Sequence, residues 1–400
     1  MTSGAPGGLP APGTRGDAPR RGRAPRGREG DERWARVAWS FLGEPKDPEL
    51  GRLIGELGAV ETLARLREGR LSDRMGWGAR LPDLDVDGLA HVVAYRRLHV
   101  LVPGDPGWPD GVDRLEQPPY CLYVRGEPDL AGLVDRGVAV VGSRAATEYG
   151  LRVAADLAEG LASRGFTVIS GAAYGIDSAA HRASLAVGGS TVAVLACGAD
   201  RAYPSVHRTM LDEIARTAAV VSEVPPGCAP YRSRFLARNR VIATLARATV
   251  VVEANLRSGS LTTAKAAREH HLPVGAVPGP VTSMASAGCH ALVRDTDAVL
   301  VTDAAEVAEL AARIGEHLLP GLEDAGRLRR PADDLDPTSY AVWSAVPVRG
   351  GVTAERLAAA SGVEPRRLVA ILGALEVRGL VRREAGRWRK AGQATGAPAG

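Results

Sequence analysis

The sequence predicts an α/β fold built on a mostly parallel sheet. Between residues 137 and 310, short β-branched runs alternate with alanine-rich segments of helical character. The runs are apolar throughout, which indicates strands that helices cover on both faces. We therefore expect a Rossmann-like, doubly wound domain, with helices over Leu151–Arg164 and Ser178–Val187 among others. The predicted strands are Val138–Val141, Thr167–Ile169, Thr191–Leu195, Ala219–Ser222, Thr249–Val252, Val274–Val277 and Val299–Val301.

A small helical domain is predicted before this sheet. Trp34, Val37, Phe41 and Leu42 have the spacing of an amphipathic helix. We interpret this domain as SAM-like or helix-hairpin-helix-like. A Pro- and Gly-rich connector with one or two strands follows it and is expected to pack on the core.

The last part of the chain has the pattern of a winged helix. One helix is predicted after Thr353 as its N-cap, a second spans residues 366–376, and Gly386 separates two short strands. The predicted organisation is a disordered basic tail (1–30), the helical domain (31–98), the connector (99–136), the Rossmann-like domain (137–312), a linker (313–335), the winged-helix domain (336–390) and a disordered tail (391–400).

The positive charge of the chain is concentrated at its two ends. The 400 residues carry 50 Lys and Arg against 46 Asp and Glu, a net charge of +4. Residues 1–30 hold six Arg against two acids, and residues 336–400 hold ten Lys or Arg against five acids. Since these ends contribute +4 and +5, the residues between them are left at −5. A polyanion bound by this middle part must be held by a local patch and by loop dipoles.

The composition argues against several classes of protein. No apolar run of about 18 residues is present, and the arginine-rich start lacks the apolar stretch of a secretory signal, so we expect no membrane association. The four cysteines form no Cys-x-x-Cys pair, which fits a reducing cytoplasm. His270-His271 and Cys289-His290 lack the spacing of metal ligands. We expect neither a metal nor a cofactor.

Three Gly- and Ser-rich loops follow strands of the predicted sheet. Such loops expose backbone N–H groups at helix N-termini, where anions bind. In a doubly wound sheet they lie beyond the carboxyl ends of the strands, where ligands bind. Three of them together indicate a long anionic ligand. They are Gly142-Ser143-Arg144, Ser170-Gly171-Ala172-Ala173-Tyr174-Gly175-Ile176-Asp177 and Ser258-Gly259-Ser260-Leu261-Thr262.

The loops lack the residues of the common nucleotide enzymes. No Gly-x-Gly-x-x-Gly follows the first strand, and the second strand ends in Ser170-Gly171 instead of an acidic residue for a ribose. No Gly-x4-Gly-Lys-Ser/Thr sequence occurs, and no Ser-His-Asp set is visible at a nucleophile elbow. These phosphate-friendly loops therefore lack the residues that make a nucleotide enzyme.

One segment combines arginines with an aromatic ring. Phe235 stands among Arg232, Arg234, Arg238 and Arg240, in a chain that contains three Phe. Single-stranded nucleic acid needs charge for its backbone and a ring face for its bases. Residue type alone leaves two alternatives open: Phe235 presents its ring to a ligand, or it lies in the core while the arginines solvate a helix.

Two further cations are predicted near helix N-termini. Arg144 directly follows Gly142-Ser143, where its guanidinium can form two hydrogen bonds to a phosphate that the loop already holds. Lys265 lies one helical turn beyond the third loop and adds another charge.

Three polar residues near the loops receive structural roles in this interpretation. Asp177 is expected to cap the helix that begins at Ser178. His181, one turn further on, is expected to make a structural hydrogen bond back toward the loop. Glu253 ends a strand at the ligand edge, and because its charge repels phosphate we expect it to bond loop N–H groups or bases.

The region from Val138 to Val301 resembles the DprA/Smf family, DNA-processing protein A. Six motifs in the same order carry the resemblance, and some 160 residues contain them. The motifs are Gly142-Ser143-Arg144 with Tyr149-Gly150, the stretch Ser170–His181, Tyr203-Pro204, Arg238-Asn239-Arg240-Val241-Ile242, Glu253-Ala254 with Ser258–Ala264, and Ala276-Val277-Pro278-Gly279-Pro280.

The resemblance implies a non-catalytic protein that binds single-stranded DNA. Members of the family form homodimers, protect incoming single strands and load the RecA recombinase during natural transformation. The implied DNA site combines the loops with the basic stretch: Gly142, Ser143, Arg144, Ser170, Gly171, Ala173, Gly175, Asp177, Arg232, Phe235, Arg238, Asn239, Arg240, Ser258, Gly259, Ser260, Thr262 and Lys265. Duplex DNA is a further candidate partner of the winged helix, through Arg366, Arg367 and Arg387.

Two other classes of function remain open from the sequence. The first is a nucleotide-processing enzyme of the phosphoribohydrolase type, although the Pro-Gly-Gly-x-Gly-Thr-x-x-Glu motif of those enzymes is missing and Ser258–Thr262 takes its place. The second is a regulator that binds duplex DNA through the winged helix.

Overall fold

The computed structural model describes two compact parts of the chain. The chain divides into the units Met1–Leu319 and Pro320–Gly400. The described residues are 31–73, 75–313, 335–347, 351–384 and 386–391. The predicted tail 1–30, residues 392–400 of the predicted tail 391–400, and residues 314–334 of the predicted linker lie outside them.

Five helices form the beginning of the first unit. They are α1 (Glu32–Leu42), α2 (Pro48–Leu57), α3 (Ala59–Arg67), α4 (Trp77–Arg80) and α5 (Val86–Tyr95). Asp31, Asp47 and Asp85 accept hydrogen bonds from backbone N–H groups at the starts of α1, α2 and α5. Trp39 and Trp77 meet edge to face in the core of these helices, with ring centroids 5.8 Å apart.

A nine-stranded sheet forms the centre of the first unit. Its strands are β1 (Leu98–Leu101), β2 (Leu122–Gly126), β3 (Gly137–Val141), β4 (Thr167–Ser170), β5 (Thr191–Leu195), β6 (Ala219–Ser222), β7 (Ala248–Val251), β8 (Val274–Ala276) and β9 (Val299–Leu300). Their order in the sheet is β1-β2-β6-β5-β4-β3-β7-β8-β9. Strands β3 to β9 are parallel, while β2 is antiparallel to β6 and to β1. The predicted doubly wound, mostly parallel sheet is confirmed.

Helices cover both faces of this sheet. They are α6 (Leu130–Val134), α7 (Glu148–Ser163), α8 (Ile176–Ala186), α9 (Arg208–Thr217), α10 (Arg232–Leu245), α11 (Ser260–Glu269), α12 (Ala287–Asp295) and α13 (Ala304–Ala311). Val138 and Val140 point to the core beneath α7, α8 and α13, while Ala139 and Val141 point to the core beneath α10, α11 and α12. This burial on both sides explains why the strands are apolar at every position.

Two helices begin earlier than the sequence predicts. α7 starts at Glu148 instead of Leu151, because the side chain of Thr147 caps it and accepts from the backbone N–H of Gly150 at 3.2 Å. α8 starts at Ile176 instead of Ser178, directly after Gly175, whose φ of 76° lets the chain turn sharply out of the loop.

The segment 99–136 is part of the main sheet. β2 contributes Leu122, Tyr123 and Val124, all without solvent exposure. Together with β1 it extends the parallel sheet beyond β6, so this segment builds an edge of the sheet and does more than connect two domains.

The second unit contains the predicted winged helix. Its elements are α14 (Pro337–Ala345), α15 (Ala354–Ser361), α16 (Pro365–Val377), β10 (Val381–Glu384) and β11 (Arg387–Lys390). Leu357 and Leu372 are fully buried in its core, and Trp388 on β11 is 8% exposed there. Gly362 ends α15 in the left-handed conformation, with φ at 66°, which allows the tight turn into α16.

No helix in the described parts of either unit is long and apolar enough to cross a membrane.

Candidate nucleic-acid interface

A crevice opens where the strand order of the sheet reverses. From β3 the chain proceeds through β4, β5 and β6 to one side, and β7 then begins the other side next to β3. Ligands of doubly wound sheets bind at this point, beyond the carboxyl ends of the strands. A cavity of about 610 Å³ lies there. Its lining comes from the end of β3, the loops after β3, β4 and β7, the first turn of α8 and the helices α10 and α11: Val141, Gly142, Ser143, Arg144, Ala145, Ala173, Asp177, Arg232, Phe235, Leu236, Arg238, Asn239, Ile242, Asn255, Ser258, Gly259, Ser260 and Thr263.

Glu253 fixes the loop after β3. Its backbone carbonyl accepts from the N–H of Ser143 at 2.7 Å. Its carboxylate accepts from both the N–H and the hydroxyl of Thr147, at 2.9 and 2.6 Å. The prediction that Glu253 bonds loop N–H groups is therefore confirmed. Glu253 is 2% exposed and does not line the cavity. Its carboxylate therefore holds the loop and does not face a ligand.

In the described part of the chain, two backbone N–H groups of the loop after β3 have no acceptor. Arg144 and Ala145 are exposed and line the cavity. Among the described residues, none accepts a hydrogen bond from the backbone N–H of either. These two N–H groups and the Arg144 guanidinium can therefore bind an anion together.

Asp177 has a different role from the predicted one. Instead of capping a helix at Ser178, it lies in the first turn of α8 and accepts from the N–H groups of Gly171 and Ala173, at 3.2 and 3.3 Å. Burial raises the pKa of Asp177, while nearby Arg238 opposes this shift. The N–H groups of Gly171 and Ala173 are thus committed to Asp177 and do not serve a phosphate.

Arg238 is a buried tie between α10 and the loop after β4. It is 5% exposed and donates to the carbonyl oxygens of Gly171 and Val194, at 2.7 and 2.6 Å. A side chain at Gly171 would collide with this guanidinium, so any larger residue there would displace Arg238. Burial lowers the pKa of Arg238 to about 10, and the positive charge of Arg144 adds to this shift.

Phe235 presents part of its ring to the cavity. The guanidinium carbon of Arg144 lies 4.8 Å from the ring centroid of Phe235, in a cation–π contact between α10 and the loop after β3. Phe235 is half-buried, and Arg232, one turn earlier on the helix, is exposed. Of the two alternatives that the sequence left open, the structure favours the ring at the ligand crevice.

Asn239 fixes the loop after β7. Its side-chain amide donates to the carbonyl oxygen of Gly259 at 3.1 Å and to the hydroxyl of Thr262 at 2.7 Å. The hydroxyls of Ser258 and Ser260 lie 2.8 Å apart at the start of α11. Helix α10 therefore holds two of the three loops, through Arg238 and Asn239.

Some predicted site residues do not reach the crevice. Arg240 is buried in an ion pair with Glu223, at 2.6 Å, because it lies on the core side of α10. Lys265 points to solvent and pairs with Glu269 at 3.6 Å. The hydroxyl of Ser170 donates to the carbonyl of Val140 inside the sheet. These three residues, which the resemblance placed in the DNA site, therefore do not line the crevice.

Other predictions near the site concern histidines. His181 makes the structural hydrogen bond that the sequence suggested, but to Thr191 on β5, at 2.7 Å, instead of to the loop. Nε2 of His290 lies 3.1 Å from the carbonyl oxygen of Gly279, within hydrogen-bond distance. The described residues contain no group of three or more His, Cys, Asp or Glu that could hold a metal ion.

Sequence reasoning missed several residues of the crevice. Asn255, Leu236 and Ala145 line it without belonging to any motif used for the prediction. Tyr203 was recognised only as part of a motif, yet its ring contacts Phe235, with centroids 5.8 Å apart. The Tyr203-Pro204 motif was the available signal for that contact.

The three cationic candidates of the winged helix are exposed. Arg366 and Arg367 lie in the first turn of α16, and Arg387 begins β11. The N-terminal residues of a second helix in a helix-turn-helix are those that reach base edges in the major groove.

Fold and crevice together define a class: a Rossmann-like protein with a polar, arginine-bearing crevice at the switch point of its sheet and a winged helix after it. The family model "DNA recombination-mediator protein A" matches residues 99–312, and the model "DprA winged helix domain" matches residues 327–387. This chain belongs to the DprA/Smf family of DNA recombination mediators.

Individual relatives support this membership. The chain is 44% identical over 372 residues to the DNA processing protein DprA of Mycobacterium tuberculosis, covering 88% of this chain and 93% of that protein. It is 33% identical over 385 residues to Protein Smf of Synechocystis, covering 88% and 96%. The X-ray structure of DNA processing protein A from Streptococcus pneumoniae superposes with a TM-score of 0.60 at 30% identity, covering 69% of this chain and 97% of that one.

Proposed function

We propose that this chain binds single-stranded DNA in the crevice between β3 and β7. The observation that carries the proposal is the stack of Arg144 on the half-exposed ring of Phe235, next to two unused backbone N–H groups. This arrangement offers charge for phosphates and a ring face for a base in one place, as single-strand binding requires.

The distribution of charge along the chain supports binding of DNA through a local patch. Residues 31–335 together carry −5, and residues 137–312, which hold the crevice, are close to neutral with 16 Lys or Arg against 15 Asp or Glu, so the overall field does not attract DNA strongly. Arg144, Arg232 and the loop N–H groups act only at short range, and binding is accordingly sensitive to salt.

We propose binding without turnover. Asp177 is the only carboxylate among the described residues that line the cavity, and it is committed to the N–H groups of Gly171 and Ala173. Release of a base from a nucleoside monophosphate needs a carboxylate that is free to act on substrate or water. The phosphoribohydrolase alternative predicts product release from nucleoside monophosphates, which chromatography detects; such release would overturn this part of the proposal.

Family membership supports the cellular part of the proposal. We propose that the chain acts as a homodimer in the cytoplasm, protects incoming single strands during DNA-mediated transformation and loads the RecA recombinase on them. A RecA strand-exchange assay on strands already covered by a single-strand binding protein tests this: the chain is expected to shorten the lag, and an unchanged lag contradicts the loading role.

The winged helix supports a second, separate contact with duplex DNA. Arg366 and Arg367 are exposed in the first turn of α16. Removing residues 336–400 distinguishes the two sites. A mediator keeps most of its single-strand affinity, whereas a duplex-binding regulator loses its binding altogether.

The decisive experiment on the crevice replaces two exposed arginines. Arg144→Ala/Arg232→Ala is expected to lower the affinity for oligo-dT by about tenfold or more, because each contributes a phosphate contact or a stacking face. The control Arg52→Ala/Arg216→Ala removes the same charge at sites exposed by 57% and 71%. Fluorescence anisotropy at moderate salt measures both. Equal affinities for the two variants would refute the crevice as the binding site.

A further inference from the structure

Tyr203 extends the row of planar groups that begins in the crevice. Its ring centroid lies 5.8 Å from that of Phe235, with an angle of 55° between the planes. Arg144 lies over the same Phe235 ring at 4.8 Å. Tyr203 itself is 45% exposed and stands just outside the cavity lining. Three planar groups therefore run from the loop after β3, across α10, to the segment after β5.

The spacing of the two rings decides where a base can stack. Aromatic rings in direct contact have centroids about 4.5–7 Å apart, so the rings of Phe235 and Tyr203 touch and admit no base between them. A base in this region must stack on the exposed side of Tyr203. Because Tyr203 already packs against Phe235, it loses little freedom when it receives a base.

The charge around Tyr203 fits a nucleic-acid backbone. Residues 201–211 and 228–240, which meet through the Tyr203–Phe235 contact, contain no Asp or Glu. Arg201, Arg208 and Arg232 are exposed in these segments. The carboxylate of Asp200 accepts from the N–H of Gly227 at 2.8 Å, and its side chain is 7% exposed, so it turns away from the strand path.

We infer that Tyr203 is a base-stacking platform at the rim of the crevice, which holds the nucleotide next to the one that Arg144 and the loop after β3 bind. The inference rests on the proposed single-strand binding and gives it a direction. The strand leaves the crevice over Phe235 toward Tyr203, between the exposed side chains of Arg201 and Arg232. The ligand class is single-stranded nucleic acid with its bases unstacked from each other, read by ring faces without sequence preference.

Substitutions that separate the ring from its packing test this inference. Tyr203→Leu keeps an apolar contact with Phe235 but removes the ring face, whereas Tyr203→Phe keeps both. Tyr203→Leu is expected to lower the affinity for oligo-dT by about tenfold. Its affinity for an abasic chain with the same number of phosphates should not change. The salt dependence of binding should not change either. Tyr203→Phe is expected to bind like the wild type.

A tyrosine in a similar setting serves as the control. Tyr340 in the winged-helix unit is 46% exposed and lies 5.8 Å from the ring of Trp343. Tyr340→Leu is expected to retain wild-type affinity for oligo-dT. If Tyr203→Leu also retains it, or loses equal affinity for oligo-dT and the abasic chain, Tyr203 is no stacking platform.

Photocrosslinking of the unmodified protein gives a second, independent measurement. Oligonucleotides with 5-iodouracil crosslink to rings stacked on the modified base, and mass spectrometry is expected to find the adduct at Tyr203. An adduct at Phe235 but none at Tyr203 overturns the inference and leaves the crevice proposal intact. If the wild type prefers duplex to single-stranded oligonucleotides, the proposed function itself fails.

Discussion

Arg238 donates a hydrogen bond of 2.7 Å to the carbonyl oxygen of Gly171, and this bond joins the helix of the basic stretch to the loop after β4. The same guanidinium reaches Val194 on β5 at 2.6 Å. Arg238, which the resemblance placed in the DNA site, is thus part of the scaffold that shapes the crevice. Exposed Arg144 and Arg232 are left to meet a ligand.

Loss of Arg238 is expected to destabilise the fold. Arg238→Met leaves two buried carbonyls without their donor and Asp177 buried without an opposing charge, at a cost of about 3–5 kcal/mol. Chemical denaturation measures the free energy of unfolding. The control Arg216→Met, at an exposed position of α9, should shift it by less than about 0.5 kcal/mol. Equal unfolding midpoints for the two variants would contradict the structural role of Arg238.

A substitution of Glu253 tests whether its carboxylate repels phosphate or stabilises the loop after β3. If its charge merely repelled phosphate, Glu253→Gln would tighten DNA binding. Because its carboxylate accepts two hydrogen bonds from Thr147, we expect the variant to lose about 1–3 kcal/mol of stability and to bind oligo-dT more weakly. Anisotropy and thermal unfolding on the same samples check this. Tighter binding at unchanged stability would show that the loop does not depend on Glu253.

The buried pair Arg240–Glu223 is expected to act on stability only. Burial raises the pKa of Glu223, which the charge of Arg240 opposes. Arg240→Met alone strands a buried carboxyl and should cost about 3–5 kcal/mol, whereas Arg240→Met/Glu223→Leu should recover most of this loss. The double variant is expected to bind oligo-dT like the wild type. If the double variant is stable but binds oligo-dT more weakly than the wild type, Arg240 contributes to DNA binding.

His181 is expected to make the fold sensitive to acid. The hydroxyl of Thr191 donates to the carbonyl of Val168, so it accepts from Nδ1 of His181. The buried Nε2 is then unprotonated, and no described residue is its partner. Burial lowers the pKa of His181 to about 3, and the nearby His207 and Arg238 add to this shift. The unfolded chain then binds a proton that the folded chain does not.

The sign of the pH effect follows from this difference. The contribution of His181 to stability is complete above about pH 6.5 and is lost as the pH falls toward 3, by about 1 kcal/mol per pH unit. His181→Gln should flatten this part of the profile, while His91→Gln, at an exposed site, should leave it unchanged. Denaturation midpoints between pH 4 and 7 measure the slope. A slope that survives in His181→Gln must come from other groups.

The sequence predicted the crevice better than the roles of its residues. The three loops and Arg144 were found because glycine, serine and arginine at strand ends leave a strong local pattern, and Phe235 and Asn239 because they stand in a dense run of arginines. Arg238 and Arg240 stand two positions apart in the same basic stretch, yet one supports a loop and the other pairs with Glu223. Residue type cannot separate them, because both roles require the same guanidinium.

The sequence by itself determined the alternation of apolar strands and helices, the winged-helix pattern and the placement of all three loops at one edge of the sheet. These properties are local, since they follow from periodicity and from backbone preferences of neighbouring residues. The tertiary structure alone decided which backbone donors remain free and which arginines are buried. It also decided that the ring of Tyr203 contacts the ring of Phe235. Those outcomes depend on partners such as Glu223 and Asp177, which lie far apart along the chain and meet only when the sheet has formed.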